Sequence, residues 1–127
     1  MSRWPPDELL HIRDELSYLV GQCQQLTAES FKSDETRQRA FVRALEVIGE
    51  ASKRLPSELR QQYADINWRA ISGMRDRLIH AYFGVDYDIV WDVAANQSER
   101  LLKRIEDILR NESPSEKRVD PMDQPPM

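Results

Sequence analysis

One cysteine, two histidines and four glycines are all that 127 residues contain of these three types, and each scarcity excludes something. A lone Cys23 cannot close an intrachain disulfide and suits a reducing compartment. His11 and His80 lack metal-ligand spacing and have no second cysteine to join them, so no metal centre and no cofactor are expected. Four scattered glycines make no phosphate-cradling loop. No apolar run approaches the roughly 20 residues of a membrane span, and the N-terminus MSRWPPDELL has no signal-peptide core. The expected location is therefore the cytoplasm, away from membranes. A surplus of positive charge is missing too: 18 Lys and Arg stand against 22 Asp and Glu, for a net charge of −4. That balance argues against coating nucleic acid by bulk electrostatics, while leaving room for a local basic site.

What is present is helical periodicity. Leu9, Ile12, Leu16, Leu19 and Cys23 recur at three and four, with Asp7 and Glu8 suited to a helix start, which predicts a first helix over about residues 7–27. A short polar link follows. Ser33 is a candidate N-cap for a second helix carrying Phe41, Leu45, Ile48, Ala51 or Ser52, and Leu55, stopped by Pro56. Pro56-Ser57-Glu58 can open a short helix through Tyr63. Trp68, Ile71, Met74, Leu78 and Ala81 mark a fourth helix, which Gly84 would end in the left-handed conformation. Asp86 can cap a fifth, with Ile89, Val93, Leu101 or Leu102, Ile105 and Leu109 as its apolar side and the polar patch Asn96-Gln97-Ser98-Glu99 as a weak point. Trp4, Trp68 and Trp91 read as core or interface anchors. The expected fold is all-α: an up-down four-helix bundle with a short additional helix, over residues 1–110. Residues 111–127, with Pro114, Pro121, Pro125 and Pro126, read as a disordered tail.

The densest chemistry lies in residues 73–84, GMRDRLIHAYFG. Arg75, His80 and Tyr82 form Arg-x-x-x-x-His-x-Tyr, and Arg69 and Arg77 add local positive charge against Asp76. Arginine grips a phosphate with two prongs, and a neutral histidine accepts and returns a proton near pH 7. Together they are a minimal kit for cutting RNA without a metal. On an ideal helix Asp76 and His80 share one stripe, and Tyr82 lies on the stripe of Arg75. Arg75 and His80, five apart, diverge by roughly 140°. A second copy across a two-fold interface would complete such a site, and surplus apolar positions on the first two long helices point the same way. Glu50 and Arg43 are candidate ion partners facing the fourth helix.

The stretches ALEVIGEASKRLP (44–56) and INWRAISGMRDRLIHAYFGVDYDIVW (66–91) resemble the HepT toxins of the HEPN superfamily, and the resemblance spans roughly residues 7–110. It implies a small helical bundle, a homodimer whose cleft is lined by both chains, and a metal-independent endoribonuclease of a type VII toxin–antitoxin pair. It places Arg75 and His80 at the catalytic positions, with Asp76 and Arg77 in support. Tyr82 falls where the family's tyrosine is adenylylated (AMPylated) by a minimal nucleotidyltransferase (MNT) antitoxin. The competing reading is a non-catalytic HEPN module that binds a nucleotide, RNA or the partner protein.

Overall fold

The computed structural model describes residues 4–80 and 84–112. Tyr82 and the Pro-rich tail from residue 113, both singled out in the sequence, lie outside the described residues.

The first long helix, α1 (Asp7–Cys23), buries Leu9, Ile12, Leu16 and Leu19 on one face. Each such side chain contributes about 1.5–3 kcal/mol of burial. That face packs chiefly against α3 (Glu35–Lys53) and α8 (Ser98–Asn111). The helix is four residues shorter than its periodicity suggested, because Thr27 opens a separate turn of helix, α2 (Ala28–Lys32). A capping box closes that turn: the Ser30 amide donates to Thr27 Oγ1 at 3.1 Å and the Thr27 amide to Ser30 Oγ at 2.9 Å. The polar link of the sequence is thus an ordered helix, anchored by the fully buried Phe31. Ser33 ends α2, and the N-cap of α3 is Asp34, whose carboxylate accepts from the Arg37 amide at 3.0 Å. That bond, with the Arg37 guanidinium behind it, holds the Asp34 carboxyl below its usual range.

Pro56 opens α4 (Ser57–Gln62), as its fixed φ allows. The expected fourth helix is divided. Asn67 caps α5 (Trp68–Ser72), Gly73 interrupts, and α6 (Met74–Leu78) is only five residues long. At Ile79 the chain turns extended, with φ −117° and ψ 118°. Ile79 and His80 form β1, paired antiparallel with β2 (Gly84–Val85) in the register Ile79 to Val85 and His80 to Gly84. The Leu78 carbonyl is taken at 2.8 Å by the amide of Asp86, so it is not free for the amide four residues on that a continuing helix would offer. Gly84 does adopt a left-handed φ of 76°, but within the ladder and not as a helix cap. His80 therefore sits on a strand, and the 140° divergence and the shared Asp76–His80 stripe lose their helical premise, while the Arg75–Tyr82 stripe ends outside the described residues.

Asp86 caps α7 (Tyr87–Asn96) through the Asp88 and Ile89 amides, as its sequence position suggested. The polar patch breaks the last helix at Gln97, so that α7 buries Val90, Val93 and Ala94, and α8 buries Ile105 and Ile108. The break resets the apolar stripe; Ile89, Leu101, Leu102 and Leu109 are only partly buried. Where α3 crosses α5 the backbones nearly touch: a Cβ on Gly49 would lie 3.0 Å from the Ile71 carbonyl oxygen. Beside that crossing the buried Ser52 hydroxyl meets Ser72 Oγ at 3.1 Å. The all-helical class and one bundle-like core agree with the sequence; the number and length of the pieces do not.

The C-terminal end of α8 is tied down by polar contacts. Arg104 grips Asp65 with two bonds of 2.8 and 3.0 Å and reaches Asp107 at 3.0 Å. The Tyr63 hydroxyl donates to Glu112 at 2.8 Å, and burial with that carboxylate pushes the phenol's pKa up. Deletion of residues 113–127 is accordingly expected to move the melting temperature by less than about 2 °C. Glu112→Ala is expected to lower it by several degrees, since a hydrogen bond to a charged group contributes about 1.5–3 kcal/mol. Differential scanning fluorimetry reads both, and a large loss on deletion alone would contradict the assignment.

Candidate active site

The residues singled out in the sequence are distributed over two faces of the segment α6–β1. Arg75 is 68% exposed, and its Nε lies 3.7 Å from Glu46 Oε2 on α3. Asp76 is exposed in the first turn of α6, its amide bonded to the Gly73 carbonyl. Arg77, also exposed, lines a cavity of about 560 Å³ between α5–α6 and α7–α8, floored by Ile48, Ile71 and Met74 and shared with Arg100 and Arg104. This is the larger cavity, but neither Arg75 nor His80 lines it, and Arg104 is already held by two aspartates.

His80 is exposed on β1 and lines a separate cleft of about 540 Å³. The start of α7 supplies Asp86, Tyr87 and Asp88 to it, and Lys32 and Gln38 close it from α2 and α3. Arg75 and Asp76 are not among its lining residues. Gln38 beside the His80 cleft and Glu46 beside Arg75 are eight residues apart on α3, roughly 12 Å of helix axis. Among the described residues, then, Arg75 lines neither of these two cavities, and the carboxylates that line the His80 cleft are Asp86 and Asp88, not Asp76.

The ion partner of this segment is Glu46, not the expected Glu50 and Arg43. Glu50 pairs with Lys53 at 3.2 Å and, with Arg43 and His11, lines a depression between α1 and α3 on another side of the bundle. The sequence could have yielded Glu46 only through the register of α3 against α6, which Gly49 sets. Lys32 was hidden because α2 carries a single apolar anchor and shows no periodicity. Among the described residues no group of three His, Cys, Asp or Glu side chains is placed to hold a metal ion, and no helix is long and apolar enough to cross a membrane.

A small helical bundle with an exposed arginine and histidine set out at this spacing defines a class, the helical ribonucleases of HEPN type. The chain belongs to the ribonuclease HepT-like family, whose model matches residues 12–108, and with it to the endoribonucleases. It is 43% identical over 108 residues to a protein of Caldanaerobacter subterraneus subsp. tengcongensis provisionally named an RNase, covering 85% of this chain and 96% of that one. It is 41% identical over 91 residues to a protein of Thermococcus cleftensis named a probable ribonuclease HepT, covering 72% and 83%. A Methanocaldococcus jannaschii protein, also provisionally named an RNase, is 36% identical over 103 residues, covering 81% and 85%. No solved structure matches the chain.

Proposed function

We propose that this endoribonuclease is the toxin of a toxin–antitoxin pair, acting in the cytoplasm without a metal, as a homodimer. His80 takes the proton of a ribose 2′-OH. The 2′-oxygen attacks the adjacent phosphorus, the bond to the 5′-oxygen breaks, and a histidine, the same one or its dimer mate, protonates the leaving oxygen. The products are a 2′,3′-cyclic phosphate and a 5′-hydroxyl. Arg75 stabilises the charge that builds on the phosphorane oxygens. The observation that carries this reading is the exposure of both groups on one short segment of a chain whose family is ribonucleolytic. Their separation along α3 supports a cleft completed by a second chain. Asp76 and Arg77 follow Arg75 as supporting charges, and Asp86 and Asp88 are better placed than Asp76 to steady the imidazole.

Control is proposed to fall on Tyr82, two residues beyond His80 in sequence. A minimal nucleotidyltransferase partner transfers AMP from ATP to the phenol oxygen, releasing pyrophosphate. The added phosphodiester competes with RNA for Arg75, and the adenosine fills the cleft. The test combines three measurements on purified protein. RNA cleavage in EDTA, with cyclic phosphate ends, is expected; loss of cleavage in EDTA contradicts the metal-free reading, and intact RNA returns the non-catalytic module. Sedimentation is expected to show a dimer at micromolar concentration; an active monomer removes the shared cleft. Mass spectrometry after incubation with the partner and ATP is expected to show AMP on Tyr82. Neutralisation of Tyr82→Phe without ATP would mean that the partner acts by occlusion.

A further inference from the structure

An RNA strand passing His80 must bring phosphates into a cleft that carries two carboxylates, Asp86 and Asp88. Arg75 does not line it. Among the described residues the one lysine or arginine that does is Lys32, whose Nζ lies 3.2 Å from Asp88 Oδ1. Without that charge the described residues of one chain give the cleft no lysine or arginine to offset these carboxylates. Both partners of the pair are exposed, Lys32 at 62% and Asp88 at 77%, and such pairs contribute only about 0–1 kcal/mol, so the lysine is easily exchanged. Asp88 has a second source of compensation in the first turn of α7, where the helix dipole favours a carboxylate. The backbone beneath Lys32 is held firmly: Phe31 is fully buried, and the Gln38 side-chain amide donates to the carbonyls of Phe31 and Lys32 at 2.9 and 2.8 Å.

We propose that Lys32 is a substrate-binding residue, holding an RNA phosphate next to the one cut beside His80, with Asp88 as the counter-ion that the phosphate displaces. This rests on the ribonuclease reading of the His80 cleft. A lysine acts here as a mobile point charge and not as a fixed fork, which suits contact with the RNA backbone independent of base sequence.

The test uses the full chain with Lys32→Ala, Lys32→Arg and Asp88→Asn, cleavage of total cellular RNA, and fluorescence anisotropy with a mixed-sequence single-stranded RNA 20-mer. Lys32→Ala is expected to raise KM about tenfold with kcat within about twofold, as for loss of one charged hydrogen bond. The slope of log affinity against log salt should fall by about 0.7. Lys32→Arg should retain most of the affinity. Asp88→Asn, which breaks the same pair, should lower KM by about two- to threefold, because it frees the lysine. A merely structural pair would make both losses act in one direction. Same-sign shifts, or a Lys32→Ala affinity equal to wild type, overturn the inference. If wild type leaves RNA uncut, the ribonuclease reading has failed, and the anisotropy comparison still decides the role of Lys32.

Discussion

Arg75→Ala and His80→Ala are each expected to reduce RNA cleavage by about 10²–10⁴-fold, the range for removing a general base or a donor to developing phosphoryl charge. Growth arrest on expression without a partner should vanish with cleavage. Neither change should weaken the fold. Both side chains are exposed, and the contact of Arg75 with Glu46, at 3.7 Å and with the arginine largely in solvent, is too weak to matter for stability. Melting temperatures within a few degrees of wild type would separate lost chemistry from lost structure. Arg75→Lys is the discriminating variant: it keeps the charge and loses the fork, so its activity should fall between wild type and alanine. Single-turnover cleavage of RNA measures all three. Full activity in either alanine variant would remove that residue from the mechanism.

The second large effect is expected at Phe31. Its ring lies 4.8 Å from Phe41, 5.3 Å from Trp91 and 6.5 Å from Tyr87, centroid to centroid, and it is fully buried. Phe31→Ala removes the common member of these three contacts and leaves a cavity where α2, α3 and α7 meet. The expected loss is about 3–5 kcal/mol, a large share of the stability of a domain this size. That corresponds to a fall of roughly 10–20 °C in melting temperature. Phe31→Leu should lose far less, because most of the volume is kept. Urea titration measures the difference, and a loss under about 1 kcal/mol for the alanine variant would show that α2 is dispensable to the core. Lys32 follows Phe31 directly, so loosening the anchor should also weaken RNA binding at temperatures where the chain is still folded.

Arg75 with His80, and Phe31, mark opposite ends of what the sequence discloses. Arg75 and His80 stand out as candidates because their spacing is chemically distinctive whatever the backbone does. The buried faces of α1 and α3 were legible because Leu9, Ile12, Leu16 and Leu19, then Phe41, Leu45 and Ile48, repeat at helical spacing. Phe31 stands alone among polar neighbours, and a single apolar residue has no period, so α2 was invisible. The β1–β2 ladder was invisible for the opposite reason: Met74, Leu78 and Ala81 continue the helical period past the point where the Leu78 carbonyl bonds to the Asp86 amide. Local pattern favoured a helix, and a contact eight residues away in sequence ended it. Glu46 was passed over for Glu50 and Arg43 because choosing among positions on α3 requires its rotation relative to α6, which only packing fixes.

That rotation has a mechanical origin. Gly49 lets the axis of α3 come against the carbonyl of Ile71 with no side chain between them. Glu46 lies three residues before this point on α3, and Arg75 four residues after Ile71, on α6 just beyond the break at Gly73. The crossing is thus the fulcrum of a short pair of calipers whose tips are Glu46 and Arg75. A methyl group added at the fulcrum would open the tips without touching either of them. The aim of the arginine is therefore set at a position that carries no chemistry of its own.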